Sequence, residues 1–185
     1  TRAEVADVAN AVMDGADAIM LSAESAIGKY PLRAVETMHL IAVEAESKVA
    51  RDALLHERVL EGVSFDSTGI VSKTACEISR ELHAKAILSF TMQGATARMV
   101  ARFRPSVPII AVTPNKRCLA RMSMVYGVHP LFVPDALGAE KLFRKSIAKL
   151  KSQHVLKKGD VVVITAGIPL QVSGNTNIIR VHRVE

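Results

Sequence analysis

Residues 86–105 read Ala-Ile-Leu-Ser-Phe-Thr, then Met-Gln-Gly, then Ala-Thr-Ala-Arg-Met-Val-Ala-Arg-Phe-Arg-Pro. The first six, Ala86 to Thr91, form a short and almost wholly apolar run, which fits a parallel strand buried on both faces. Gly94 then allows a tight reversal. Beyond it Ala97, Val100 and Ala101 recur at helical spacing, Arg98 and Arg102 share another face, and Pro105 stops the helix. In an open α/β sheet such a turn lies at the carboxyl edge of the strands, where free backbone N–H groups and the positive end of a helix dipole favour an anion. Thr91, Gly94, Ala95, Thr96 and Arg98 are therefore candidate ligand-binding residues.

The same unit repeats downstream. Pro108 to Thr113 reads as a second apolar strand, Asn115 as an N-cap, and Lys116 to Tyr126 as a helix closed by Gly127. Leu131 to Val133 reads as a third, shorter strand. Ala139 to Gln153 follows as a helix with Leu142, Phe143, Ile147 and Leu150 inward and lysines outward. Asp160 to Thr165 is a fourth strand. The connection from Thr165 to Asn177 has no helical pattern, so Ile178 to Val184 should return antiparallel as an edge strand, its apolar run broken by Arg180, His182 and Arg183. The expected fold is α/β: an open three-layer α/β/α sheet of about five strands.

Upstream, Ser67 to His83 reads as a long helix capped by Asp66 or Ser67, with Val71, Ala75, Ile78 and Leu82 on one side. Thr1 to Met13 reads as a helix with Thr1 as cap and Glu4 three residues on. Asp17 to Ala23 is a short run of strand type, and Tyr30-Pro31 opens a second helix. Helix, strand and helix cannot close a core alone, because a buried strand needs neighbours. Arg51 to Glu61 reads as a short helix and Gly62 to Asp66 as a linker. Three segments are thus expected: 1–50, 51–66 and 67–185.

Of 185 residues 49% are apolar, enough for an ample core, and no apolar run approaches the ~20 residues of a membrane span. The expectation is a soluble, cytoplasmic protein; a start at Thr1 suggests a fragment. The net charge of +6 is spread along several helices, and only seven aromatic residues exist to stack on bases, so no nucleic-acid partner is expected. Cys76 and Cys118 lack metal-ligand spacing and read as buried free thiols, and the six histidines show no HxH or HxxxH spacing, so no metal site is expected.

Thr91, Thr113 and Thr165 each end a strand and could cluster at the mouth of one crevice, although threonine also simply favours strands. Ser173, Gly174, Thr176 and Asn177 offer hydroxyls, an amide and a flexible backbone in a loop that leaves the same sheet edge as Met92 to Thr96, so two loops could clamp one ligand. A polar hairpin connection uses the same composition. Glu24 follows the run Ala18 to Leu21 without a paired acid or base, which suits a cap better than a catalyst.

Thr1 to Ser25, Gly28-Lys-Tyr-Pro, Phe103-Arg-Pro-Ser-Val-Pro-Ile-Ile-Ala-Val-Thr-Pro, Lys157-Lys-Gly-Asp-Val-Val-Val and Ser173-Gly-Asn-Thr-Asn occur in that order along the chain. Together they resemble landmarks of the pyruvate kinase family, bacterial type, over essentially the whole length. The resemblance implies that residues 1–50 are the last helix, strand and helix of a (β/α)₈ barrel and the remainder a carboxy-terminal regulatory domain. It further implies a parent enzyme that transfers the phosphoryl group of phosphoenolpyruvate to ADP with Mg²⁺ and K⁺, and that assembles as a tetramer. Ser22, Glu24 and Ser25 correspond to the active-site rim, while the family's catalytic residues lie in earlier barrel strands, so this chain alone is expected to be inactive. The loop matching Thr91 to Arg98 holds the phosphate of an effector in allosteric members. Here Gln93, Ala95 and Thr96 leave few cations, which favours a sugar monophosphate or AMP. The alternatives are a freestanding phosphate-ligand module and an assembly domain without ligand.

Overall fold

The computed structural model describes residues 1–49, 66–134, 138–168 and 175–185, the side chain of residue 49 excepted. The chain divides into two units, Thr1–Val63 and Ser64–Glu185. In the first, helix α1 (Arg2–Met13) begins with the expected capping box: the Glu4 amide donates to the Thr1 hydroxyl, and the Glu4 carboxylate accepts from the Thr1 amine. A helical turn α2 (Ala23–Ala26) and the long helix α3 (Pro31–Val49) follow.

The strand expected from Asp17 to Ala23 is absent: residues 17–21 pair with no strand among the described residues, and the last position of the run already opens α2. An apolar run becomes a strand only where neighbours take its N–H and C=O groups, and the described residues of this unit supply none. Met20 and Ile27 are accordingly 87% and 86% exposed. The short helix at 51–61, and most of the linker after it, lie outside the described residues.

The second unit opens with α4 (Ser67–Glu81), whose N-cap is Asp66: its carboxylate accepts from the Gly69 amide at 2.8 Å. Strands β1 (Ala86–Phe90), β2 (Ile109–Thr113), β3 (Val128–Phe132), β4 (Val161–Ala166) and β5 (Ile178–Arg183) form one sheet in the order β3-β2-β1-β4-β5. The first four are parallel and β5 returns antiparallel to β4, as expected. Between the strands lie α5 (Ala95–Ala101), α6 (Lys116–Met122) and α7 (Ala139–Ser152).

Alternation along the strands sends successive side chains to opposite faces and builds two cores. Leu88, Phe90, Val112 and Ile164 pack with Leu142, Phe143, Ile147 and Leu150 of α7. Ile87, Ile109, Ala111 and Val163 pack with Ala75 of α4, Val100 of α5, and Cys118 and Met122 of α6. The sheet is therefore covered on both sides, the three-layer arrangement that its unbroken apolar strands require.

Of the boundaries that differ from the sequence reading, those of α6 and β3 differ most in what they place. Helix α6 ends at Met122 rather than Tyr126, because the chain turns through residues 123–127 to deliver Val128 into the sheet. Strand β3 begins at Val128, three residues ahead of the expected Leu131. Pro130 interrupts the apolar run but is tolerated because β3 is an edge strand, with one side free of ladder bonds.

Candidate functional site

The chain runs from β1 outward to β2 and β3, then crosses back to place β4 on the other side of β1. The strand order therefore reverses between β1 and β4, and a crevice opens there at the carboxyl ends of the strands. Two loops leave this edge: Thr91 to Gly94, leading into α5, and the segment after Ala166, leading to β5.

The first loop is fixed from within. The Gly94 amide donates to the Thr91 hydroxyl at 2.8 Å. Gly94 has φ +98°, and a Cβ at this position would stand 2.4 Å from Cε and 2.6 Å from Sδ of Met122. A side chain is thus excluded by backbone conformation and by packing together. Thr113 at the end of β2 donates to the Met92 carbonyl at 3.5 Å and accepts from the Asn115 amide at 3.1 Å, which ties this loop to the next one. Asn115 caps α6 as expected, accepting from the Arg117 amide.

The second loop meets the first. The Thr176 hydroxyl donates to the Thr96 hydroxyl at 3.0 Å, with both residues buried. Asn177 closes the neck of its loop by accepting from the Ile168 amide and donating to the Ile168 carbonyl, each at 2.9 Å. Gly167 permits this neck: a Cβ there would lie 2.0 Å from the Asn175 carbonyl oxygen. Below the loops, Ser89 and Thr165 stand opposite each other in the β1–β4 register, their hydroxyls 3.0 Å apart and buried.

Of the candidate residues, Thr91, Gly94, Ala95, Thr96, Thr176 and Asn177 thus come to one place, while Arg98 is exposed on α5. Ser173 and Gly174 lie outside the described residues. All three threonines at the strand ends bond internally, and only Thr91 does so within the crevice loop: it accepts from the Gly94 amide, Thr113 accepts from the Asn115 amide, and Thr165 pairs with Ser89. Sequence reasoning missed Met122 and Gly167. Neither carries a local signal, because each matters through a neighbour distant in sequence or through main-chain proximity.

On the first unit, the Glu24 carboxylate accepts from the Ser22 amide at 2.9 Å and the Ser25 hydroxyl donates to the Ser22 carbonyl at 3.3 Å. Ser22, Glu24 and Ser25 therefore form a self-capped turn at the start of α2. Among the described residues, no three of His, Cys, Asp and Glu gather as metal ligands, and no helix is long and apolar enough to cross a membrane. Cys118 is buried, but Cys76 is only partly so. Its Sγ lies 3.8 Å from the Val100 carbonyl, and burial, aided by Glu77, pushes its thiol up to about 12.

An open, mostly parallel sheet with two loops converging at its switch point defines an α/β domain of the class that takes ligands at that crevice. The family description "Pyruvate kinase, alpha/beta domain" matches residues 70–182, and "Pyruvate kinase, barrel domain" matches residues 1–35. The chain belongs to the pyruvate kinase family. It is 44% identical to the pyruvate kinase of Clostridium acetobutylicum over 187 residues, covering all of this chain and 39% of that protein. The pyruvate kinase of Thermotoga maritima is 39% identical over 185 residues, all of this chain and 38% of its own length. That of Geobacillus stearothermophilus is 39% identical over 182 residues, 98% of this chain and 31% of its own. The chain thus spans less than two fifths of these curated relatives.

Proposed function

We propose that this chain is the carboxy-terminal regulatory and subunit-contact portion of a pyruvate kinase. The parent enzyme, of cytoplasmic location, transfers the phosphoryl group of phosphoenolpyruvate to ADP, giving pyruvate and ATP in glycolysis. Its Mg²⁺ and K⁺ would polarise and charge-neutralise the transferring group. The carboxylate nearest the rim motif, Glu24, is spent on the Ser22 amide, and no acidic cluster accompanies it among the described residues. No step of the transfer is therefore assigned to residues of this chain, and a coupled assay with phosphoenolpyruvate, ADP, Mg²⁺ and K⁺ is expected to stay at background.

The observation that carries the regulatory reading is the Thr176–Thr96 bond, which draws the two loops together at the switch point. A phosphate monoester, a sugar monophosphate or AMP, would sit there against the first-turn N–H groups of α5, with Thr91, Gly94, Ala95 and Thr96 on one side and Ser173, Gly174, Thr176 and Asn177 on the other. Arg98 would supply positive charge. Calorimetric titration of the chain with AMP and with sugar monophosphates tests this, with Arg98→Glu beside it because Arg98 is exposed and its replacement spares the core. Saturable binding weakened in the variant supports the reading; no binding at millimolar concentration, or equal binding by the variant, removes it.

One observation favours a second reading, assembly without a ligand: the Thr91 and Thr96 hydroxyls already have partners within the protein. The edge of β5 turned away from β4 is the surface through which copies would then pair. Both readings require a dimer or larger species in sedimentation equilibrium, so the calorimetric titration distinguishes them: only the first expects a phosphorylated compound to bind.

A further inference from the structure

A groove of about 220 Å³ runs between α7 and β5, on the opposite face of the sheet from α5. Its floor is apolar, formed by Phe143, Ile147 and Ile164, all buried. Its rim is charged. Arg180 is committed to Glu140, to which it donates while lying over the Phe143 ring. Lys151 donates to the main-chain oxygen of Glu185 and so ties the end of the chain to the helix. Arg144 on α7 makes no ion pair within 4 Å among the described residues but, like His182 of β5, attracts the Glu140 carboxylate from the groove's rim. An apolar floor beside a guanidinium that makes no ion pair suits a small molecule with an apolar body and one anionic end, because burial of the body drives entry and the cation, despite the Glu140 carboxylate near it, fixes the orientation.

We propose that this groove binds a small amphipathic carboxylate, its hydrocarbon body on Phe143, Ile147 and Ile164 and its carboxylate at Arg144. The volume accommodates roughly a dozen non-hydrogen atoms, at the small end of ligand cavities. The site is separate from the crevice at the ends of β1 and β4, so the proposal stands whether or not a phosphorylated effector binds there.

The probe is 3-phenylpropionate, titrated calorimetrically into the whole chain beside its uncharged amide. The acid is expected to bind with a dissociation constant of about 1 mM and the amide about fivefold or more weaker. Arg144→Gln, at an exposed position, should weaken the acid by a similar factor and leave the amide unchanged. Ala148→Trp, also exposed and lining the groove, should fill it and abolish binding of the acid, with the thermal unfolding transition serving as the check on folding. Equal affinity for acid and amide, undiminished binding by either folded variant, or no binding of the acid at about 10 mM each overturns the proposal.

Discussion

Thr176 and Thr96, eighty positions apart in sequence, share a hydrogen bond of 3.0 Å in a place where both are buried. It is a direct side-chain link between the segment before β5 and the start of α5, so the two halves of the crevice are held by a bond that water does not readily replace. Thr96→Val or Thr176→Val alone should cost about 1–3 kcal/mol, because each leaves the other hydroxyl buried without its partner. The double variant should cost clearly less than the sum. A double-mutant cycle from urea unfolding measures the coupling, and strict additivity would show that the two hydroxyls act independently.

Gly167 is required by space and Gly127 by conformation alone. At Gly167 a Cβ meets main-chain atoms that cannot swing aside, whereas at Gly127 it meets open space with φ +65°. Gly167→Ala is expected to destabilise by about 3 kcal/mol and Gly127→Ala by about 1 kcal/mol. Equal shifts in the denaturant midpoint would count against the close approach at Asn175.

The Cys76 thiol should be sluggish toward iodoacetamide. With its value raised from 9.0 to about 12, the reactive thiolate is about a thousandfold scarcer at mildly alkaline pH than for an ordinary cysteine. Because the folded-state value lies above the free one, the stabilisation linked to this group is complete below pH 9.0 and is lost as the pH rises toward 12. Peptide mass mapping of the native protein checks the first point; rapid modification of Cys76 without unfolding would contradict it.

Acid acts on the opposite side. The Arg180 guanidinium beside Glu140 holds its carboxyl below the ordinary value of 4.5, with Arg144 and His182 adding smaller attractions. A lowered folded-state value means that the pair's contribution is complete above pH 4.5 and fades as the pH falls through that lower value. Glu140→Gln should therefore narrow its stability difference from the unaltered chain below pH 4.5, and a difference constant down to pH 3 would refute the linkage. Both side chains are substantially exposed, so the effect should also shrink as salt is added.

How far the sequence could be read depended on where each element's partners lie. Ala86 to Phe90 and Ile109 to Thr113 are buried throughout, and unbroken apolar runs announced them. Strand β3 was read short because His129 and Pro130 interrupt its run, which only its edge position makes harmless. Residues 17–21 failed in the other direction: composition suggested a strand, but a strand exists only where another chain segment completes the ladder. In the crevice, the sequence suggested that two loops leave one edge of the sheet. That Thr96 rather than Thr91 makes the cross-loop contact, and that Met122 leaves no room for a side chain at Gly94, are both set by neighbours distant in sequence, with no local signature.

The scarcity of burial in the first unit bears on how its backbone protons exchange with solvent. Ala45 is the one buried residue among described positions 1–48, so the packing of α1 on α3 encloses little core. Their amides should pass to deuterium through local fraying within seconds to minutes, while those of β1 and β4, central in the sheet and covered on both faces, should await global unfolding. A single chain would then carry two clocks, and its deuterium uptake curve should rise in two well-separated steps.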